Sequence, residues 1–192
     1  VISCKNNGSV TFLAETEQVK PTLYMAGIAG VSSGDFTDCH NAGTVGIDNI
    51  DFGYWVAMAG ITGRSFNYNP ITIADCTNDG PLYANFIASG NQVHNVGGIV
   101  AIADGGEIAV DNCHNKANGS ISMTTPGTGA CGAQIGGIAA KITKPGTVEN
   151  CTNTAAITFN TSAAAGKNSY LGGIVADIET SVVDVTNCVN TG

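Results

Sequence analysis

The chain has 192 residues, of which 43% are apolar and only 11% charged, and it carries a net charge of −8. That balance excludes a disordered chain, which would be more charged and less apolar. Seven basic residues, with Arg64 the lone arginine, exclude the phosphate neutralisation that nucleic acid or an anionic membrane surface demands, and no run of 18 apolar residues is present to insert into a bilayer.

Taken in chain order, the first element is one that returns. A cysteine followed two residues later by an asparagine occurs as Cys4/Asn6, Cys39/Asn41, Cys76/Asn78, Cys113/Asn115, Cys151/Asn153 and Cys188/Asn190, with successive cysteines 35, 37, 37, 38 and 37 residues apart. A fixed period of this length is the mark of a repeat architecture. It divides the chain into repeats at about 1–35, 36–72, 73–109, 110–147, 148–184 and a partial 185–192, all within one solenoid domain. Three residues before each cysteine stands an apolar residue (Val1, Phe36, Ile73, Val110, Val148, Val185), and one before it a small polar residue (Ser3, Asp38, Asp75, Asn112, Asn150, Asn187). Four after it comes glycine at Gly8, Gly43, Gly80 and Gly192, with Ala155 once and Gly119 displaced by an insertion. A turn with positive φ at this glycine is the expectation.

The next element alternates, as in Val10/Phe12, Val45/Ile47, Leu82/Ala84, Ile121/Met123 and Ile157/Phe159, which predicts a strand with one buried face. A variable polar segment follows. The last element is a glycine-isoleucine run, Ala26-Gly27-Ile28-Ala29-Gly30 and Ala59-Gly60-Ile61-Thr62-Gly63, then Gly97-Gly98-Ile99, Gly136-Gly137-Ile138 and Gly172-Gly173-Ile174. Both of its faces are apolar or very small, so it predicts a strand covered on both sides.

Three short strands per repeat, stacked in register about 4.8 Å apart, make an all-β parallel β-helix of five to six coils of ~37 residues. The crossover preference of parallel strands makes it right-handed. Two shorter coils per repeat is the competing arrangement. The chain opens and stops inside repeats and has no basic-then-apolar leader, so it is expected to be a processed or partial piece of a longer chain.

The Gly-Ile-x-Gly strings at Gly27–Gly30 and Gly60–Gly63 resemble the GLUG motif of large bacterial surface proteins and adhesins; the copies from Gly98, Gly137 and Gly173 depart from it by ending in alanine. The Asn-Cys-x-Asn-x-Gly rung is similar to repeats of long surface proteins from gut bacteria and some protists. The resemblance implies a secreted β-helical module at the cell surface or outside the cell, and it implies no catalytic residue.

No cysteine pair has metal-ligand spacing, so no metal or other cofactor is expected. In-register strands point neighbouring Cβ atoms the same way, which favours a ladder of free thiols over disulfides, with the asparagines forming an amide ladder beside it. Cys131 falls outside the column and is the expected exposed thiol. Asp38 and Asp75 share a column in neighbouring coils and form the candidate carboxylate pair of a polysaccharide-active enzyme. The plainer reading is two turn aspartates. His40 and His114 share a column two coils apart, and His94 stands as a lone exposed loop histidine. Phe52, Tyr54, Trp55, Phe66, Tyr68, Tyr83 and Phe86 cluster in the second and third repeats. Of these, Trp55, Tyr54, Tyr68 and Tyr83 are the candidate ligand-binding residues for a carbohydrate-binding module, the alternative being a lateral cap over the glycine-isoleucine strands. The leading expectation is a structural and adhesive module that stacks on flanking repeats or other copies of itself and presents its loops to a glycan or a host-surface protein.

Overall fold

The computed structural model describes residues 1–13, 22–50, 55–86, 92–125, 131–161 and 167–192, and among them there is no helix. The chain winds into a parallel β-solenoid. A first sheet of six two-residue strands carries the asparagines, running from Lys5–Asn6 through His40–Asn41, Thr77–Asn78, His114–Asn115 and Thr152–Asn153 to Val189–Asn190. The second sheet stacks the alternating strands Val10–Leu13, Val45–Ile50, Leu82–Phe86, Ile121–Thr125 and Ile157–Thr161. A third holds Leu23–Ala26, Val56–Ala59, Val93–Gly97, Gly132–Gly136 and Tyr170–Gly172. The fourth holds Ala29–Ser32, Thr62–Ser65, Val100–Ala103, Ala139–Ile142 and Val175–Ile178, and the fifth Phe36–Thr37, Ile71–Ala74, Ile108–Asp111, Gly146–Glu149 and Val183–Thr186. Four of the five sheets therefore span four coil-to-coil steps. The stack is about four turns deep, slightly short of the five to six coils expected.

Each coil also has five short strands where three were expected, because two sharp corners cut the chain. The first corner lies at the small polar residue before each cysteine. Ser3, Asp38, Asp75, Asn112, Asn150 and Asn187 all have φ between 48° and 54°, the left-handed region that Asn and Asp tolerate best among residues with a Cβ. No described glycine occupies that region, so the expected positive-φ turn lies five residues earlier than predicted. The glycine after the asparagine is required by close approach instead. A Cβ on Gly43 would sit 1.8 Å from the Gly8 carbonyl oxygen, and one on Gly80 would sit 2.0 Å from that of Gly43.

The asparagine column forms an unbroken ladder. Asn6 Nδ2 donates to Asn41 Oδ1 at 2.7 Å, Asn41 to Asn78, Asn78 to Asn115 and Asn115 to Asn153 at 2.8 Å each, and Asn153 to Asn190 at 2.7 Å. The second amide proton closes the local turn, as in Asn78 Nδ2 to the Gly80 carbonyl at 3.0 Å. An amide has two donor hydrogens and an acceptor, so one side chain can hold the turn of its own coil and both neighbours.

The second corner is the glycine-isoleucine run, and it packs against this ladder. A Cβ on Gly60 would lie 2.4 Å from Asn78 Cγ and from the Gly98 oxygen; on Gly98 it would lie 2.6 Å from Asn115 Cγ, and on Gly137 2.5 Å from Asn153 Cγ. The two motifs are thus two sides of one contact. Beyond the corner, glycine alternates with alanine across four residues. Coils one and two have Ala26/Gly30 and Ala59/Gly63, whereas later coils have Gly97/Ala101, Gly136/Ala140 and Gly172/Ala176. A Cβ on Gly97 would meet the Val100 oxygen at 1.9 Å, and one on Gly63 would meet the Gly30 oxygen at 2.7 Å. Each coil keeps one glycine on one side of the corner, which accounts for the two forms of the run.

The corners divide the cross-section into two lobes. One core lies between the second and third sheets, around Val45, Ile47, Met58, Leu82, Ile121 and Ile135; the other lies among the fourth sheet, the fifth sheet and the cysteines, around Phe36, Ile61, Ile73, Ile99, Val110 and Ile138. The outer faces of the third and fourth sheets turn towards each other, and Ala57, Ala59, Ala101 and Ile102 form a third small cluster there. This is why the glycine-isoleucine strands are apolar on both faces.

All seven cysteines are free thiols. Those of the column point back to the carbonyl two residues earlier, as in Cys76 Sγ to Ala74 O at 3.2 Å and Cys151 Sγ to Glu149 O at 3.0 Å. Each fills the inside of the left-handed turn as a small hydrophobe with a weak donor. Hydrogen bonds with Cys151 and Cys76, and burial, push the Cys113 thiol up from its ordinary value, and burial raises Cys39. Cys131, expected at the surface, is buried in the third sheet's lobe at 7% exposure.

Asn78→Ala is expected to cost on the order of 3 kcal/mol, because it leaves buried partners on both sides unpaired. Asn190→Ala, at the exposed end of the same ladder, should cost under about 1 kcal/mol. Denaturant unfolding of the two variants checks the difference, and equal costs would count against a cooperative ladder. In a native titration with a thiol reagent, Cys4 should react fast and the half-buried Cys188 more slowly, while Cys39, Cys76, Cys113, Cys131 and Cys151 should react only after unfolding.

Candidate functional site

Asp38 and Asp75 lie where the register predicted, in adjacent coils at the left-handed turn. Both are tied into that turn column. Ser3 Oγ donates to Asp38 Oδ2 at 2.8 Å, and Asn112 Nδ2 to Asp75 Oδ1 at 2.7 Å. One coil further, Asn150 Nδ2 reaches Asp111 Oδ1 at 2.8 Å. The geometry gives these carboxylates a turn-bracing role.

The aromatic candidates do not converge. Tyr83 lies on the outer face of the second sheet, over Gly46, and donates its hydroxyl to Asp48 Oδ2 at 3.1 Å. Tyr68 is 91% exposed beyond the fourth sheet, edge-on to Phe66 at 5.9 Å. Trp55 opens the third sheet and is 41% exposed. Phe86 is fully buried, and Phe52 and Tyr54 lie outside the described residues. The described rings therefore neither form one platform nor cap the glycine-isoleucine strands as a group.

His94 is not an exposed loop residue. It lies within Val93–Gly97 at 1% exposure, stacked on Phe86 with ring centroids 4.2 Å apart and 3.6 Å from the Cys131 sulfur through Nε2. The strand's pleat turns residue 94 into the lobe, which the local sequence alone does not reveal. His40 and His114 keep their column with Thr77 between them, and His114 Nδ1 lies 2.8 Å from Thr152 Oγ1. No group of three or more His, Cys, Asp or Glu among the described residues could hold a metal ion.

What the structure brings together is a lateral groove between the outward faces of the third and fourth sheets. The third sheet contributes the in-register column Tyr24, Ala57, Asn95, Gln134, Tyr170. Val31, Arg64, Ile102, Lys141 and Asp177 form the facing column of the fourth. Each residue of the first column meets that of the next coil in the second. Arg64 donates to the Tyr24 hydroxyl at 2.9 Å, and Gln134 Nε2 donates to Asp177 Oδ2 at 2.5 Å. The same offset sets Asn95 opposite Lys141.

The groove is closed over the first coils and open over the later ones. Arg64 pairs with Asp104, both carboxylate oxygens lying 3.0 Å from its Nε, and its guanidinium lies over the Tyr24 and Phe66 rings at 5.5 and 4.7 Å. From Asn95 onward the floor is polar, and the groove widens to a cavity of ≈ 550 Å³ with Trp55, Tyr170 and Lys167 on its rim. Lys141 bonds Glu179 at 2.6 Å. Burial raises the Asp177 carboxyl above the usual carboxylate range; the Glu179 charge adds to this and Lys141 opposes it.

Two floor atoms stand out. Among the described residues, Asn95 Oδ1 and Gln134 Oε1 accept no hydrogen bond, although Asn95 is 3% and Gln134 5% exposed. Each unpaired buried acceptor costs about 1–3 kcal/mol, and native proteins hold few of them.

Sequence reasoning passed over Asn95, Gln134, Lys141, Asp177 and Glu179. The signal was present in the residue three before the glycine that precedes isoleucine in the most uniform strand. That position reads Tyr, Ala, Asn, Gln, Tyr down the repeats and is the variable column of an otherwise monotonous element.

The winding, the ladder and the groove define the chain as a parallel β-solenoid with a lateral cleft among its described residues. No protein-family model, curated protein or solved structure matches it.

Burial lowers the His94 imidazole to about 4, below its ordinary value of about 6.5. The unfolded chain then binds the extra proton between those values, so stability is full above pH ~6.5 and falls as pH drops towards 4. The loss from this one group is on the order of 3 kcal/mol. Urea unfolding at pH 7 and pH 4.5 should show it. His94→Gln should flatten the slope, and an unchanged slope would remove His94 as its source.

Proposed function

We propose that the chain is a structural repeat module of an extracellular or cell-surface protein, a rigid spacer that continues by stacking further coils on its ends and presents its sides to other molecules. The observation that carries this reading is the character of the two end faces. Ten of the thirteen exposed large apolar side chains among the described residues lie on the first or last coil, among them Ile2 at 76%, Leu13 at 70%, Leu171 at 52% and Val189 at 51%. Leu171, Ile178 and Val185 among them occupy columns that are buried in the coils between, at Met58, Val96 and Ile135, at Ala103 and Ile142, and at Phe36, Ile73, Val110 and Val148. At the last coil a hollow of ≈ 190 Å³ lies over Asn153, Leu171, Gly173, Asn190 and Gly192, on the line of the amide ladder.

The occupant that fits is another coil of the same pattern. Within the chain Asn6 is the first donor of the ladder and Asn190 the last acceptor, so the Nδ2 of Asn190 can donate to Oδ1 of Asn6 on a copy placed head to tail and continue the same bond. Such a contact is heterologous and does not close, and it grows into a rod rather than a dimer. The GLUG-like form of the glycine-isoleucine strings supports the surface setting and the adhesive role.

Light scattering of the purified chain across a concentration series should show end-to-end association. Leu171→Lys with Val185→Lys should reduce it to monomer while far-ultraviolet dichroism stays native, and Tyr68→Lys on the side wall should leave it unchanged. A wild-type chain that stays monomeric throughout would overturn the stacking reading.

A further inference from the structure

We infer that the open half of the lateral groove is a binding site for a neutral saccharide chain, held across the third and fourth coils. This goes beyond the stacking role and does not rest on it, since the groove lies on the side wall.

The first support is the pair of orphan acceptors. Asn95 and Gln134 are register partners in adjacent coils, so their backbones lie about 4.8 Å apart, close to the spacing of alternate hydroxyls on one pyranose ring. The orientation of Gln134 follows from its neighbour. The Asp177 carboxylate only accepts, so it takes Nε2 and leaves Oε1 towards the groove. A ligand that satisfies this floor must bring donors, and hydroxyl groups do so while also accepting from the rim.

Charge narrows the class. Lys141 and Lys167 balance Asp177 and Glu179 around the cavity, which leaves no net field to select a polyanion or a polycation. Strand addition by a peptide is not offered, because the groove is walled by the faces of strands whose interior members are paired on both sides. Trp55 and Tyr170, 41% and 42% exposed, stand at the rim and supply flat apolar faces of the kind on which sugar rings stack. The closed half of the groove, sealed by the Arg64–Asp104 pair, sets the direction in which the chain leaves.

The test is an array of immobilised neutral oligosaccharides probed with the whole chain, followed by calorimetric titration of the best binder against wild type, Asn95→Leu, Gln134→Leu and Trp55→Ala. Binding by wild type and a loss of tenfold or more in each variant is the expected result. Thermal melts separate binding from folding. Asn95→Leu removes an unpaired acceptor, so its melting temperature should equal or exceed that of wild type while its affinity falls. Should a leucine variant fail to fold, Trp55→Ala at the exposed rim decides between binding and its absence. The inference is overturned by no wild-type binding across the array, by unchanged affinity in Trp55→Ala and the folded floor variants, or by capture from a peptide library in place of glycans.

Discussion

The amide ladder is the interaction on which the rest of this solenoid depends. One asparagine per coil bonds the asparagine above, accepts from the one below and closes its own turn with the remaining proton. That use of both donors and the acceptor is possible only when the coils are in register and each amide meets the next edge to edge. A slip of one residue would bury unpaired donors along the whole column, a cost that rises with every coil. The ladder therefore sets the register that the hydrophobic columns then fill.

Its geometry propagates in two directions. Along the chain, the left-handed residue before each cysteine turns the backbone so that the asparagine points inward, and the thiol fills the space that the turn leaves. Across the coil, the amide sits where the glycine-isoleucine corner passes, so that corner cannot carry a Cβ. The chain folds back sharply at the glycine, and two lobes result in place of one rounded core. The lateral groove is a by-product of that fold-back. Its floor lies where two sheets turn their outer faces together, and its chemistry comes from whichever residues the variable column supplies.

This division separates constancy from function. Positions that meet the ladder or the neighbouring backbone repeat with little change, because each is constrained by an atom a few ångströms away. Freedom of sequence remains at the side wall. The unpaired carbonyls of Asn95 and Gln134 fall on this free surface, where a stability cost without a structural return is most simply offset by a ligand.

The repeat, the parallel stacking, the buried thiols and the amide ladder were legible in the sequence, because a column that recurs every 37 residues or so reports contacts between copies of itself. The number of strands per coil was not. Positive φ at Asp38 or Asn112 leaves no mark beyond a small polar residue, and the glycine that seemed to make the turn is instead excluded from having a Cβ by its neighbour's carbonyl. The site was less legible still. Asp38 and Asp75 suggested a carboxylate pair because a shared column guarantees proximity, yet it does not say whether the column faces a cleft. Cys131 and His94 read as surface residues, yet the pleat of its strand turns His94 inward, and Cys131, just ahead of the next coil's strand, is buried beside it. Asn95 and Gln134 belong to one column and Asp177 to another, in three different repeats. Only the fold-back at the glycine corner decides that those columns face one another, and that is a contact between sheets, which no spacing along the chain encodes.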